Sequence, residues 1–154
     1  MITKIVIEGP NNVGKTTFIN TLKRMDEFKD WLVIHMTGDD DNSYAHYDAL
    51  FSSNEKIIFD RAHVGEVIYP AYYNTKPDLT FDEMLKLSEK YSENVLYFFI
   101  TADKENIIKM YVKKCETNIY DDDLVKYELE TFEQCKNALL LQKCKVYTII
   151  TKIN

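Results

Sequence analysis

The chain has 154 residues, 45% of them apolar and 29% charged, which is the size and composition of one soluble domain; this excludes wholesale disorder and leaves no length for a two-domain enzyme. Lys plus Arg total 19 against 25 Asp plus Glu, a net charge of −6, and no basic stripe stands out, so a general nucleic-acid binder is disfavoured. The longest wholly apolar run, Val95–Ile100, is far below the ~20 residues that span a bilayer, and the N-terminus reads as a strand instead of a signal peptide, so the expectation is a cytoplasmic protein with no membrane partner.

In chain order, Ile2–Glu8 is a short β-branched run followed by a Gly-containing turn, after which Phe18, Ile19, Leu22 and Met25 repeat with helical spacing. Trp31–Met36 and Lys56–Asp60 read as two buried parallel strands with a short helix, Tyr44–Phe51, between them. A helical segment from Ala62 to Tyr73 is disturbed at Pro70, and Thr80-x-x-Glu83 is a capping box that opens a helix reaching Tyr91. Asn94–Thr101 is the strongest strand, Asp103 caps a helix running to Cys115, and Val125, Leu129, Phe132, Cys135 and Leu139 mark the apolar stripe of a helix ending near Leu141. Lys145–Thr151 closes the chain as a strand. Strands alternating with helices predict an α/β domain: an open, five-stranded, mostly parallel sheet flanked by helices, with ligands at the carboxyl ends of its strands. Cys115, Cys135 and Cys144 cannot all pair and lack CxxC spacing, so they read as reduced thiols, and His35, His46 and His63 form no cluster that suggests a metal cage.

Gly9-Pro10-Asn11-Asn12-Val13-Gly14-Lys15-Thr16 fits GxxxxGK[ST] and lies where that motif must lie, between a strand and a helix. Two of the four glycines in the chain fall at its two required positions, where a backbone free of Cβ can wrap phosphate oxygens. The predicted phosphate contacts are Gly9, Asn12, Val13, Gly14, Lys15, Thr16 and Thr17, with Lys15 reaching the β and γ phosphates of ATP and Thr16 holding Mg²⁺. A chance match is on the order of one in a hundred for a chain this long. A GTPase would carry Asn-Lys-x-Asp after a later strand, whereas Thr101–Asn106 reads TADKEN, and a motor needs a larger domain.

Ile57-Ile58-Phe59-Asp60-Arg61 sets a carboxylate at a strand end, where it can hold Mg²⁺ or its waters, and a guanidinium directly after it. Of the 19 basic residues only Arg24 and Arg61 are arginine, so Arg61 at this position suggests a role that lysine cannot fill, forking onto a phosphate or carboxylate. The bland alternative is a pair that tidies a strand end.

Glu8-Gly9-x-Asn11-x-x-Gly14-Lys15-Thr16-Thr17, then Asp60-Arg61 with Gly65 and Tyr69, resembles the thymidylate kinase and deoxynucleoside kinase group of P-loop kinases, including its small viral members. The resemblance covers the P-loop and residues 57–73 and elsewhere only the order of elements. It implies a three-layer P-loop NTPase fold with strand order 2-3-1-4-5, dependence on ATP and Mg²⁺, and a nucleotide or nucleoside acceptor. It implies catalytic roles for Lys15, Asp60, Arg61 and Glu8. It places Asn11, commonly Asp in that family, near the acceptor sugar, and Ala62, His63, Glu66, Tyr69, Tyr72 and Tyr73 around the acceptor base; aromatic residues packing a surface helix are the plain alternative. The family's lid arginines are missing: residues 113–120 carry Lys113 and Lys114 instead, so transition-state stabilisation is either weaker or completed by a second subunit of a homodimer.

A nucleoside acceptor needs a carboxylate base, and a monophosphate needs cations. Glu8, Asp60 and Glu66 point one way and the resemblance to thymidylate kinase the other. The reading favours a deoxynucleoside monophosphate, over a deoxynucleoside or modified nucleotide. A nucleotide-binding switch without turnover is the alternative of another class; retention of Lys15 together with Asp60 and Arg61 speaks against it.

Overall fold

The computed structural model of the protein describes residues 1–114 and 121–152. Five strands, β1 (Lys4–Glu8), β2 (Leu32–His35), β3 (Ile57–Asp60), β4 (Val95–Thr101) and β5 (Lys145–Ile150), form one parallel sheet in the order β2-β3-β1-β4-β5. The helices are α1 (Lys15–Lys23), α2 (Tyr44–Ser52), α3 (His63–Tyr73), α4 (Phe81–Lys90), α5 (Lys104–Lys114) and α6 (Asp122–Leu141). Alternation along the strands divides the core in two. Ile5, Ile7 and Ile58 face α1 and α5, whereas Val6, Ile57, Phe59 and Tyr97 face α2, α3, α4 and the C-terminal half of α6.

The local signals act as read. The Thr80–Glu83 capping box makes both of its bonds, and Asp103 Oδ1 accepts the Asn106 N–H at 2.8 Å; Ser43 and Asp121, which the sequence reading did not single out, cap α2 and α6. Cys135 and Cys144 are buried free thiols; Cys115 lies outside the described residues.

Two expectations are corrected. β2 is not a buried strand: it is a sheet edge, and Leu32 and Val33 remain 50% and 45% exposed, because α1 packs over β1 and β3 and leaves β2 uncovered. Pro70 does not interrupt its helix; α3 continues to Tyr73 and is closed by Asn74 at φ 53°.

Ala62, the residue before α3, offers no side-chain cap. The carboxylate of Glu8, at the end of β1, supplies it instead: Oε2 accepts the Ala62 N–H at 3.2 Å and the Gly65 N–H at 2.9 Å. Gly65 permits this approach, since a Cβ there would stand 3.3 Å from Glu8 Oε1.

The same helix entry turns His63 inward. Its ring is fully buried among Tyr47, Phe51 and Tyr97, with Nε2 2.9 Å from Ser88 Oγ and 3.1 Å from Tyr97 Oη. The expectation that His63 lines the acceptor base pocket is therefore corrected: it is a core residue. Burial pushes its pKa down to about 3 from the ordinary 6.5, so the folded protein holds it neutral. The unfolded chain binds a proton between these values that the folded chain does not. The contribution to stability is intact above pH 6.5 and is lost as pH falls toward 3. Urea-unfolding free energies of the wild type should therefore fall with acidification more steeply than those of His63→Asn, the difference approaching ~1.4 kcal/mol per pH unit below pH 6. Parallel curves would exclude His63 as the titrating group.

Candidate active site

Between β1 and α1 the chain turns through positive φ at Gly9 (153°), Asn12 (62°) and Gly14 (92°), so that it curls around a point at the N-terminus of α1. Gly9 is required by its neighbour as much as by its φ: a Cβ there would stand 2.1 Å from the Ile100 carbonyl oxygen of β4. At Gly14 a Cβ would meet only the Thr151 side chain, at an ordinary contact distance of 3.7 Å, so glycine is required there by φ alone. The first turn of α1 carries no acidic residue and no side-chain cap, which leaves its N–H groups and positive dipole end for an anion.

Lys15 is buried under the loop, with Nζ donating to the carbonyls of Gly9 at 3.1 Å and Pro10 at 2.5 Å. Burial, aided by the Arg61 charge, pushes its pKa down to about 7, against the attraction of Asp60, Glu8 and Glu128. Thr16 lies exposed on the cleft beside it, and Thr17 is exposed on the next position of the helix. Val13 points into the core, and its carbonyl accepts from Thr151 Oγ1 at 2.7 Å.

Asp60, at the end of β3, lines the same cleft, with Oδ2 2.9 Å from His35 Nδ1 at the end of β2. Parallel register sets His35 beside Asp60. Arg61 follows at φ 67°, a left-handed conformation that costs a non-glycine residue on the order of 1 kcal/mol. Its backbone N–H donates to the Ile7 carbonyl at 3.0 Å. Its guanidinium donates to Asn11 Oδ1 and lies over the Tyr69 ring, 4.7 Å from the centroid.

The cleft encloses about 1010 Å³, enough for more than one small ligand. The cleft is lined by Asn11, Asn12, Lys15 and Thr16 of the loop and the start of α1, by Asp60, Arg61, Gly65, Glu66, Tyr69 and Tyr73 of β3 and α3, and by Asp39, Lys76 and Asp78. Glu66 is half-buried there, its carboxyl raised above the ordinary value by desolvation, and it accepts the Asp78 N–H at 3.4 Å. Glu8 and Tyr72 do not line this cleft. Glu8, expected from the sequence to be catalytic, is fully buried and caps α3, and burial pushes its carboxyl up to about 7. Lys113 is exposed near the end of α5, and the rest of the expected lid, residues 115–120, lies outside the described residues.

Two participants escape the sequence reading. His35 could have been found from strand order, which sets the end of β2 beside Asp60. Glu128 lies on the buried stripe of α6 with Val125, Phe132 and Cys135, and an acid on an apolar helical stripe is the signal that marks it.

The parallel sheet in this order, with a glycine-bounded phosphate loop between β1 and α1 and an aspartate ending β3, is the α/β fold of P-loop NTPases. Among solved structures the chain is similar to the YorR protein of Bacillus subtilis in complex with phosphorylated GDP, at 18% identity and TM-score 0.75 over 97% of this chain and 85% of that one. It is also similar to deoxyadenosine kinase from M. mycoides with products dCMP and dCDP bound, at 12% identity and TM-score 0.57 over 95% and 89% of the two chains. Shikimate kinase from Acinetobacter baumannii in complex with shikimate gives 12% identity and TM-score 0.56 over 100% and 86%. No protein-family model and no curated protein matches the chain.

Whether Lys15 meets phosphate is testable without any turnover. With a pKa of about 7 it is mostly neutral in the free protein at pH 8, and a bound polyphosphate raises it again by supplying negative charge. Calorimetric titration with ADP at pH 8, in buffers of different ionisation enthalpy, should reveal uptake of ~0.5 proton or more. Heats that are independent of buffer would remove Lys15 from the phosphates.

Proposed function

We propose that this protein is an ATP- and Mg²⁺-dependent kinase that phosphorylates a deoxynucleoside monophosphate, in the manner of thymidylate kinase. The observation that carries the reading is a pair of basic side chains in one cleft that make no ion pair. Lys15 and Arg61 have no carboxylate within ion-pair distance among the described residues. One cation under the phosphate loop suits the donor. A second, following β3 and making no ion pair, suits an acceptor that is itself a phosphate. The YorR structure, which holds phosphorylated GDP, and the deoxyadenosine kinase structure, which holds nucleotide products, support a nucleotide as ligand.

In this reading the loop N–H groups and Lys15 bind the triphosphate, and an acceptor phosphate oxygen attacks the γ-phosphorus. The new P–O bond forms as the bond from the γ-phosphorus to the β–γ bridging oxygen breaks, and ADP leaves. Arg61 stabilises the charge that spreads over the transferred group. Thr16 Oγ1 and the Asp60 carboxylate are hard oxygen donors on the same cleft and fit Mg²⁺, which keeps most of its ligands as waters and phosphate oxygens. When bound, that ion neutralises charge on the β and γ oxygens.

A deoxynucleoside acceptor is the second reading, favoured by the acids Asp39, Glu66 and Asp78 on the acceptor wall beside the single Lys76. Incubation with ATP, Mg²⁺ and a panel of deoxynucleosides and their monophosphates decides between them. Diphosphate products support the first reading and monophosphate products the second. Nucleotide binding with no product across the panel would leave a switch protein without turnover.

With the preferred acceptor saturating, Arg61→Ala should lower kcat by ~10²-fold, and Arg61→Lys should recover only part of the loss, because lysine keeps the charge and lacks the planar fork. Full activity of Arg61→Ala would remove Arg61 from the chemistry.

A further inference from the structure

Glu128 is a completely buried carboxylate on α6, far from the phosphate loop in sequence and in contact with it in space. Both of its hydrogen bonds fall on one oxygen. Oε2 accepts the backbone N–H of Asn11 at 2.8 Å and the hydroxyl of Tyr69 at 2.6 Å; Oε1 is buried with no hydrogen-bond partner. A buried carboxylate is costly unless its bonds do something that an apolar residue cannot.

The two groups that Glu128 holds are the two that locate Arg61. Tyr69 is tied at its hydroxyl to Glu128, and its ring carries the Arg61 guanidinium on its face. Asn11 is tied at its N–H to Glu128 and offers its side-chain oxygen to the same guanidinium. A direct ion pair from Glu128 to Arg61 would consume the charge the cleft needs. Acting through a phenol and an amide fixes the position of the guanidinium and leaves its charge for a ligand.

We propose that Glu128 is a positioning residue for Arg61, acting through Tyr69 and Asn11; its kinetic consequence rests on the kinase reading given above, and its structural consequence does not.

The composition offers a direct probe. Arg24 and Arg61 are the only arginines, so an ¹⁵N spectrum of the arginine Nε–Hε groups holds two signals, with Arg24 as the internal reference. The Arg61 signal should be displaced by the Tyr69 ring. Glu128→Ala should abolish that displacement. Glu128→Gln should keep it, since an amide oxygen in the place of Oε2 has two lone pairs and can accept from both the Asn11 N–H and the Tyr69 hydroxyl. With acceptor and ATP saturating, Glu128→Ala should lower kcat by ~10-fold or more with a smaller change in KM for ATP, and Glu128→Gln should restore most of it. The double variant Glu128→Ala/Arg61→Ala should be no slower than Arg61→Ala alone.

An unchanged Arg61 signal in Glu128→Ala overturns the proposal whether or not the protein turns over any substrate. Additive losses in the double variant overturn it too. A displacement that Glu128→Ala abolishes, in a protein that phosphorylates nothing in the panel, upholds the positioning and overturns the kinase reading alone. If Glu128→Ala does not fold, Tyr69→Phe carries the test: it keeps the ring, loses the bond to Glu128, and should broaden or shift the Arg61 signal, whereas an unaltered signal counts against the proposal.

Discussion

The cleft depends first on the carboxylate of Glu8. It stands at the end of the central strand, one residue before the phosphate loop, and its bonds to the backbone of Ala62 and Gly65 fasten the start of α3 to that strand. The phosphate loop and the helix that lines the cleft are thereby fastened to one corner of the sheet. The alternative would leave the N-terminus of α3 uncapped in the interior, where unsatisfied N–H groups cost on the order of 1–3 kcal/mol each. Burial raises the Glu8 carboxyl to about 7 in spite of those bonds and of the Arg61 and Lys15 charges, so desolvation outweighs every favourable contact it makes.

Arg61 is held by contributions from most of the sheet's surroundings. Its backbone is pinned to β1 by the Ile7 carbonyl, its φ is left-handed, and its side chain is located by Asn11 of the loop and Tyr69 of α3. Strain of this kind persists only where several contacts over-determine it. None of those contacts is a carboxylate, and that is the electrostatic point of the arrangement: the guanidinium is fixed in place and still carries its full positive charge into the cleft.

Much of this was legible in the residues. The β-branched runs, the capping box at Thr80 and the apolar stripe of α6 each specify local structure through neighbours a few positions apart, and each appears where its pattern puts it. The P-loop and the Asp60-Arg61 pair were legible for the same reason: their chemistry is written in contiguous residues. What failed depended on distant partners. Whether β2 is central or at the edge is decided by strand order, which the composition of Leu32–His35 does not carry. Whether His63 faces the cleft or the core is decided by Glu8, which sets the entry of α3, and by the Ser88 and Tyr97 groups that receive the ring. Glu128 and His35 were missed because their partners lie on other elements, although an acid amid the apolar residues of α6 was a visible anomaly.

The lysine of the loop is bonded to the loop itself, to the carbonyls of Gly9 and Pro10. An incoming ligand must therefore compete with two oxygens already in place. A neutral molecule cannot win that contest, and a singly charged one offers little more than the carbonyls do. A polyphosphate chain, with several anionic oxygens and the N-terminus of α1 to share them, can. In the kinase reading proposed above, this part of the cleft would discriminate by charge before it discriminates by shape.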